Sequence, residues 1–437
     1  MDSDKPRFAD LKGLKSIYRA LYHRNYRLFF GGQSISMIGT WMQLIAVNWL
    51  TFRLTHSTFL LGVVGFTSRI PMFLLVPFAG VLVDRWDRHR ILVVTQILSM
   101  VQALIFAFLV LTDRIAIWHI IFLSLFLGII NTLDMPARQS FVVDMIEKKE
   151  DLGNAIALNS SMGTGARFIG PSIAGILIAA VGEGICFLLN GLSFIAVIMS
   201  LLAMKITAKK SKKQNTPVLQ GLKEGFDYTF GFSPIRSMLL LLALVSLMAM
   251  PYMVLMPVFA RDILHGGAHT YGFLVTASGC GALAGAIYLA SRKSVLGLER
   301  IIVIGSGLFG MGLIIFSLSR VYWLSLLLMI IIGFGMMMSV TTCNTVLQTI
   351  VEEDKRGRVM SFFAMAFFGM IPFGSLLAGS LAHMIGAPET IMIGGISCIF
   401  GSVLFAIKLS SFRELIRPIY VKKGIILEEQ TEIRNQA

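Results

Sequence analysis

The sequence predicts an all-α membrane protein: twelve transmembrane helices in two pseudo-symmetric six-helix bundles, with both termini in the cytoplasm. Three observations carry that prediction: long apolar runs free of charge, a lopsided placement of basic residues between them, and a weak internal repeat. Of 437 residues, 56% are hydrophobic and only 14% charged, with a mean hydropathy of +0.77. A soluble domain carries about 25% charged residues, so this chain lacks what a water-facing surface needs. A soluble enzyme, a nucleic-acid binder and a disordered chain are all excluded. Runs without Asp, Glu, Lys or Arg cover 28–52, 91–112, 237–260, 263–291, 321–351 and 359–388. Each reaches the ~20 residues that cross a bilayer's hydrocarbon as a helix.

Breaks at charges and at Gly/Pro turns place the twelve spans near 28–52, 57–83, 91–112, 115–145, 153–181, 184–206, 236–260, 267–291, 300–319, 321–349, 359–386 and 389–409. Of 38 Lys and Arg, 31 fall on the side of the termini and only Arg53, Arg114, Arg261 and Arg320 on the other. Basic residues mark the cytoplasmic face, so both termini are expected there. The expected organisation is an N-terminal arm (1–27), a first bundle (28–206), a linker (207–235), a second bundle (236–409) and a cytoplasmic tail (410–437). Within the linker, Leu219, Leu222, Phe226 and Phe230 share one helical face. That spacing predicts a short amphipathic helix on the membrane surface. The four cysteines, at 186, 280, 343 and 398, lie inside apolar segments and are expected to be reduced and packed.

The two halves align over a short stretch. ARFIGPSIAG (166–175) matches MIPFGSLLAG (370–379) at Gly170/Gly374, Ala174/Ala378 and Gly175/Gly379. Six spans repeated with the same sidedness imply a parallel repeat, and such repeats hold their substrate between the halves at mid-depth. After span 2 comes GVLVDRWDRHR, with Gly80, Asp84, Arg85, Arg88 and Arg90 at characteristic spacing. It resembles the loop 2–3 signature of the major facilitator superfamily, except that Asp87 stands where the family usually has Gly. That resemblance implies a conformational latch, in which a carboxylate and several guanidiniums pair with charges and helix ends of the opposite half.

DMPARQSFVVDMI (134–146), NAIALNSS (154–161), ARFIGPSIAG (166–175) and KRGRVMS (355–361) resemble the efflux branch of that superfamily, which includes the enterobactin exporter and macrolide efflux proteins. Gly170, Pro171, Ala174 and Gly175 resemble the antiporter motif of the superfamily's exporters. Pro171 removes a helix hydrogen bond, and the small residues let another helix approach closely. Ordinary small-residue packing is the plainer alternative.

Four charged residues lie well inside the spans, away from their ends: Arg69, Asp134, Arg138 and Arg167. Each costs ~2.5–3.5 kcal/mol at a helix centre, so they must pair or face a water-filled cavity. Asp134 and Arg138 are i, i+4 and share a face, with Pro136 expected to distort the turn between them. Arg167, about 14 residues into span 5 at ~1.5 Å per residue, is expected near mid-depth. The functional reading makes Asp134 the proton-titrating carboxylate, modulated by Arg138, Arg167 and Arg69. A static ion pair is the alternative. Another is that Arg69 and Arg167 bind an anionic group on the substrate, and that Asp144 serves only the latch.

The second half has no ionisable residue in mid-span and holds 15 of the 25 methionines. Flexible thioethers make adaptable apolar walls. Candidate cavity residues are Gln33, Gln43, Met253, Met337 and Phe367, against the alternative of ordinary packing. No Walker A or metal-ligand pattern is present, so neither a cofactor nor an enzymatic activity is expected. The expected function is export of a hydrophobic or amphiphilic small molecule by proton antiport, from a monomer in the bacterial cytoplasmic membrane, with drugs as the leading substrate class. A siderophore exporter is the nearest alternative; an uptake permease, a lipid flippase and a non-transporting receptor or scaffold are others.

Overall fold

The computed structural model describes residues 18–204 and 218–426 apart from Lys293 and Asp354. For 76–78, 80, 81, 84, 149 and 218–224 it describes the backbone alone. Among the described residues every regular element is helical. A span in hydrocarbon must satisfy its backbone polar groups internally, which helices do within one segment.

The twelve expected spans are found as helices. They run Arg24–Thr55, Thr58–Leu75, Arg88–Leu111, Ile117–Met145, Leu152–Val181, Glu183–Leu202, Ser233–Ile263, Ala268–Ser291, Leu298–Leu318, Tyr322–Ile350, Arg356–Ile385 and Ala387–Ile407. They are numbered spans 1 to 12 below. Prolines decide where they depart from straight rods. Span 2 is two helices, Thr58–Thr67 and Ile70–Arg85, broken at Ser68 and Arg69. Pro71 cannot donate and clashes with the preceding turn. Span 11 breaks likewise, into Arg356–Phe367 and Met370–Ile385, just before Pro372. Span 7 stays helical but loosens into π turns at Val245–Ala249 and Phe259–Ile263, around Pro251 and Pro257. Span 4 continues through Pro136 without a break, so the distortion expected between Asp134 and Arg138 does not interrupt the helix.

By contacts the chain forms two compact units. Unit 1 comprises the described residues of 1–56, 67–213 and 267–276, and unit 2 those of 57–66, 214–266 and 277–437. The first half of span 2 therefore belongs with the C-terminal spans, and the start of span 8 with the N-terminal ones.

Equivalent glycines do equivalent work in each unit. In unit 1, a Cβ on Gly170 would lie 2.5 Å from the Trp41 Cβ and 3.0 Å from the Ile38 carbonyl, so span 5 crosses span 1 closely. In unit 2 the matching Gly374 presses on the Leu247 carbonyl and Pro251 of span 7. Further along, a Cβ on Gly272 would stand 2.7 Å from the Gly175 Cα, and one on Gly379 would stand 2.7 Å from the Gly62 Cα. The short sequence repeat thus reappears as a repeat in packing, with small residues setting the helix separation as they do in bilayers.

Among the described residues two α-helices lie outside the spans, both in unit 2, besides the short 3-10 helices Arg19–Tyr22 and Lys149–Asp151 of unit 1. The linker helix, Val218–Gly231, forms as its periodicity predicts. Phe226 stacks on Phe230 at 4.5 Å, and both meet the edge of Phe362 at the start of span 11. This apolar face is therefore at least partly covered by protein; the side chains of Leu219 and Leu222 lie outside the described set. The tail contains a helix that the sequence reading missed, Leu409–Lys422. It buries Phe412, Ile416 and Tyr420, an i, i+4, i+8 stripe that was legible in the sequence. Arg413 clamps it to the buried Glu299 at 2.8 Å. Lys423 donates to the carbonyls of Thr349 and Val351, at 2.6 and 3.1 Å, covering the end of span 10.

Candidate functional site

Span 4 carries Asp134 into the interior of unit 1, where it is only 2% exposed. Span 3 supplies two neutral donors to one carboxylate oxygen: the Thr95 hydroxyl at 2.9 Å and the Gln96 amide at 2.7 Å. Arg138, one turn along the same helix, donates to the other oxygen. Charge-assisted bonds of this kind are the strong ones, and together the three donors satisfy a carboxylate that burial has cut off from water. The three donors come from spans 3 and 4. Arg69 and Arg167, expected around the acid, are not among its partners, because span 4 turns this face toward span 3.

A cavity of about 130 Å³ opens on this pair. Gln33, Met37 and Trp41 of span 1 line it together with Asn131, Asp134 and Arg138. Ser36 and Gln96 also line it, and the Ser36 hydroxyl and the Gln96 carbonyl oxygen have no protein partner there. Such a site is polar and roomy enough for water. A larger recess, about 540 Å³, lies where the tail helix meets the start of span 9, lined by Glu299, Arg300, Arg413 and Tyr420. It sits at the helix ends of unit 2.

Of the expected cavity residues, Gln33 lines the Asp134 cavity. Gln43 does not. It donates to Gln102 at 2.9 Å and accepts from Asn190 at 2.7 Å, joining spans 1, 3 and 6 in a buried amide ladder. In an apolar interior such groups bond to one another, which is why Gln43 is taken up there. Met253, Met337 and Phe367 are half-buried in unit 2. Met337 accepts from the Thr341 hydroxyl at 3.4 Å and packs against Gly285, and Phe367 stacks with Phe363 at 6.4 Å.

Gly170, Pro171, Ala174 and Gly175 occupy the buried face of span 5. One side meets span 1 and the other meets the start of span 8, where a Cβ on Gly272 would lie 2.5 Å from the Pro171 carbonyl. Arg167, one turn before Gly170, lies over the Trp41 ring at 5.7 Å. Arg69 sits at the break of span 2, exposed, directly before the first turn of Ile70–Arg85.

In the loop after span 2, Asp87 caps span 3. Its carboxylate accepts from the amides of His89 and Arg90, at 2.9 and 3.3 Å. That accounts for an acid where the resembled pattern has glycine: the position is a helix N-cap. Arg88 pairs with Asp144 at 3.1 Å within unit 1, and Arg85 and Arg90 are exposed. Gly80 and the Asp84 carboxylate fall outside the described side chains. Both partners of Arg88–Asp144 keep a quarter of their side-chain surface in contact with solvent. The Arg88–Asp144 pair should therefore contribute no more than about 1 kcal/mol of stability, read as the coupling energy of a double-mutant cycle. If the pair matters to turnover, the exchange Arg88→Asp with Asp144→Arg should restore most of what either single change removes in a transport assay.

Residues 15–417 match the family model described as transmembrane secretion effector. The chain is a major facilitator of that family. A staphyloferrin A transporter of Staphylococcus aureus is 26% identical over 87% of this chain and 95% of its own length. The enterobactin exporter EntS of Citrobacter koseri is 22% identical over 92% and 96%. The multidrug efflux pump Tap of Mycolicibacterium fortuitum is 22% identical over 86% and 93%. Among solved structures, a bacterial homologue of the iron transporter ferroportin in an inward-facing state superposes with a TM-score of 0.66 at 16% identity, covering 88% of this chain and 98% of that one. The nucleoside transporter NupG superposes with a TM-score of 0.69 at 12% identity, covering 89% and 99%. These likenesses establish the major facilitator fold.

The residues that sequence reasoning missed are Thr95 and Gln96 of this facilitator. Thr95, Gln96, Ser99 and Gln102 are all buried polar groups on span 3. Their recurrence at helical spacing within a charge-free run was the available signal.

Proposed function

We propose that this facilitator exports an amphiphilic small molecule across the bacterial cytoplasmic membrane by proton antiport, as a monomer with both termini in the cytoplasm, and that Asp134 carries the proton. The observation that supports this most is the Asp134 carboxylate itself: nearly sealed, held by two neutral donors and one cation, and bordered by a polar cavity. A rearrangement that shifts span 4 against span 3 withdraws the Thr95 and Gln96 donors from the carboxylate, and losing hydrogen bonds to the charged form favours protonation, so conformation is coupled to the proton. Asp144, more than one turn beyond Arg138 on span 4, and its partner Arg88 serve as part of the latch that times it.

The test is transport in everted membrane vesicles with a reversed proton gradient imposed. Uptake of a fluorescent amphiphile that collapses with the gradient supports antiport. Uptake indifferent to the gradient rejects it, and movement in the opposite sense would indicate an uptake permease.

A siderophore as the exported molecule is the second reading, favoured because a staphyloferrin A transporter and an enterobactin exporter both align with nearly the whole chain. Siderophore retained inside cells of a deletion strain of the source organism, and released on complementation, distinguishes it from drug export.

A further inference from the structure

The recess beside the tail helix is lined by groups that call for an acceptor. It measures about 540 Å³ and lies between the start of span 9 and Leu409–Lys422. Liquid water takes ~30 Å³ per molecule, so this space exceeds what one or two bridging waters occupy. Arg300, Arg413 and Arg417 line it, together with Glu299 and Glu414. Glu299 is buried and already accepts from the Arg413 Nε at 2.8 Å. Among the described residues neither Arg300 nor Arg417 has an ion-pair partner. Those two cations outweigh Glu414, the one acid left over.

The wall itself makes the same demand. Tyr420 is 3% exposed, and its hydroxyl has no hydrogen-bond partner among the described residues. The Arg413 Nη2 is buried and unpartnered in the same way. Leaving a buried donor unpaired is costly. Two such donors, with two free guanidiniums beside them, fit one ligand rich in acceptor oxygens.

Position narrows the ligand further. Span 9 begins at Leu298, span 12 ends at Ile407 and span 10 ends at Ile350, next to the carbonyls that Lys423 covers. The recess therefore lies at one face of the membrane, where apolar helix gives way to charge. Leu296, Ile416 and Ile426 share its lining with the arginines. A small soluble anion gains nothing from that apolar wall. A phospholipid brings phosphate and hydrocarbon together, and basic pockets at helix ends take anionic headgroups. Arginine suits phosphate through paired N–H···O bonds.

We propose that this recess binds the phosphate of an anionic phospholipid, held between Arg300 of span 9 and Arg417 of the tail helix. The bound headgroup fastens the tail helix to span 9 beside the Arg413–Glu299 pair. The site is independent of what the protein transports and in which direction.

The test titrates purified full-length protein in dodecylmaltoside with dioleoylphosphatidylglycerol, dioleoylphosphatidylcholine or glycerol 3-phosphate. Native mass spectrometry counts the retained ligand, and melting temperature is followed on the same samples. Phosphatidylglycerol is expected to bind at least about tenfold more tightly than phosphatidylcholine and to raise the melting temperature accordingly. Arg300→Gln and Arg417→Gln should each reduce that preference to about threefold or less, and Arg300→Lys should keep part of it. Tyr420→Phe, which preserves the buried ring, should weaken phosphatidylglycerol by about threefold. Arg236→Gln removes an exposed cation at the start of span 7, outside the recess, and should bind as wild type does. Equal affinity of the wild type for the two lipids overturns the proposal without any variant needing to fold. So does a preference that survives both Gln changes. A preference that Arg236→Gln lowers as far as they do comes from general surface charge and likewise overturns it. If glycerol 3-phosphate binds as tightly as the lipid with the same dependence on Arg300 and Arg417, the site belongs to a soluble phosphate and the lipid assignment falls.

Discussion

Asparagine in place of Asp134 is expected to lower substrate-stimulated proton flux in liposomes by roughly 100-fold or more, the scale on which removing a proton-transferring group acts. The effect on folding should be far smaller. Asparagine keeps a carbonyl oxygen where the Thr95 hydroxyl and the Gln96 amide donate. Only Arg138 loses its charge partner, and about a fifth of that side chain is in contact with solvent. The stability cost should therefore stay near 1–3 kcal/mol, that of a buried polar group left partly unsatisfied. Flux and melting temperature measured on the same preparation separate the two effects. An Asp134→Asn protein that keeps both its fold and its proton flux removes Asp134 from the mechanism. One that loses both together makes Asp134 a structural residue.

The second large effect is expected at the glycine crossings. Gly272→Ala would place a methyl carbon 2.5 Å from the Pro171 carbonyl, and Gly379→Ala would place one 2.7 Å from the Gly62 Cα. Backbone cannot yield as a flexible side chain would, so each crossing must open by an ångström or so. Overpacking of this kind costs about 1–3 kcal/mol. Transport should suffer by more than that figure implies, because helices that alternate between two arrangements must reach the close one in every cycle. Turnover at least about tenfold lower is expected for either variant, equivalent to 1.4 kcal/mol on the limiting step. Gly165→Ala is the matched control, since nothing lies within 4 Å of a Cβ there, and its turnover should match wild type. Equal turnover in all three proteins would show that the crossings have no part in the cycle.

Some of this architecture was written plainly in composition. The twelve spans could be read because hydrocarbon admits long charge-free helices and little else, so hydropathy alone locates them. Asp134 with Arg138 was legible for a related reason: a charge inside an apolar run is costly enough to demand a partner, and one helical turn supplies it. The breaks in spans 2 and 11 were not anticipated, although Pro71 and Pro372 carried the signal for them. The tail helix was equally legible in the stripe of Phe412, Ile416 and Tyr420, although its charged residues disguised it as a solvated tail.

Other features depended on which faces meet, and no local pattern carries that information. Thr95 and Gln96 reach Asp134 across 39 and 38 residues of sequence. Gln43 is drawn into a ladder with Gln102 and Asn190 and away from the cavity it was expected to line. Gly175 meets Gly272, and Gly62 meets Gly379, so the contact units exchange segments between chain halves. The amino-acid sequence by itself determined that this protein crosses the membrane twelve times and which few charges it carries inside. Only the tertiary structure decided which of those charges are neutralised. The physical reason is that transfer into lipid is a property of each segment alone, whereas pairing a buried polar group is a property of two segments brought together.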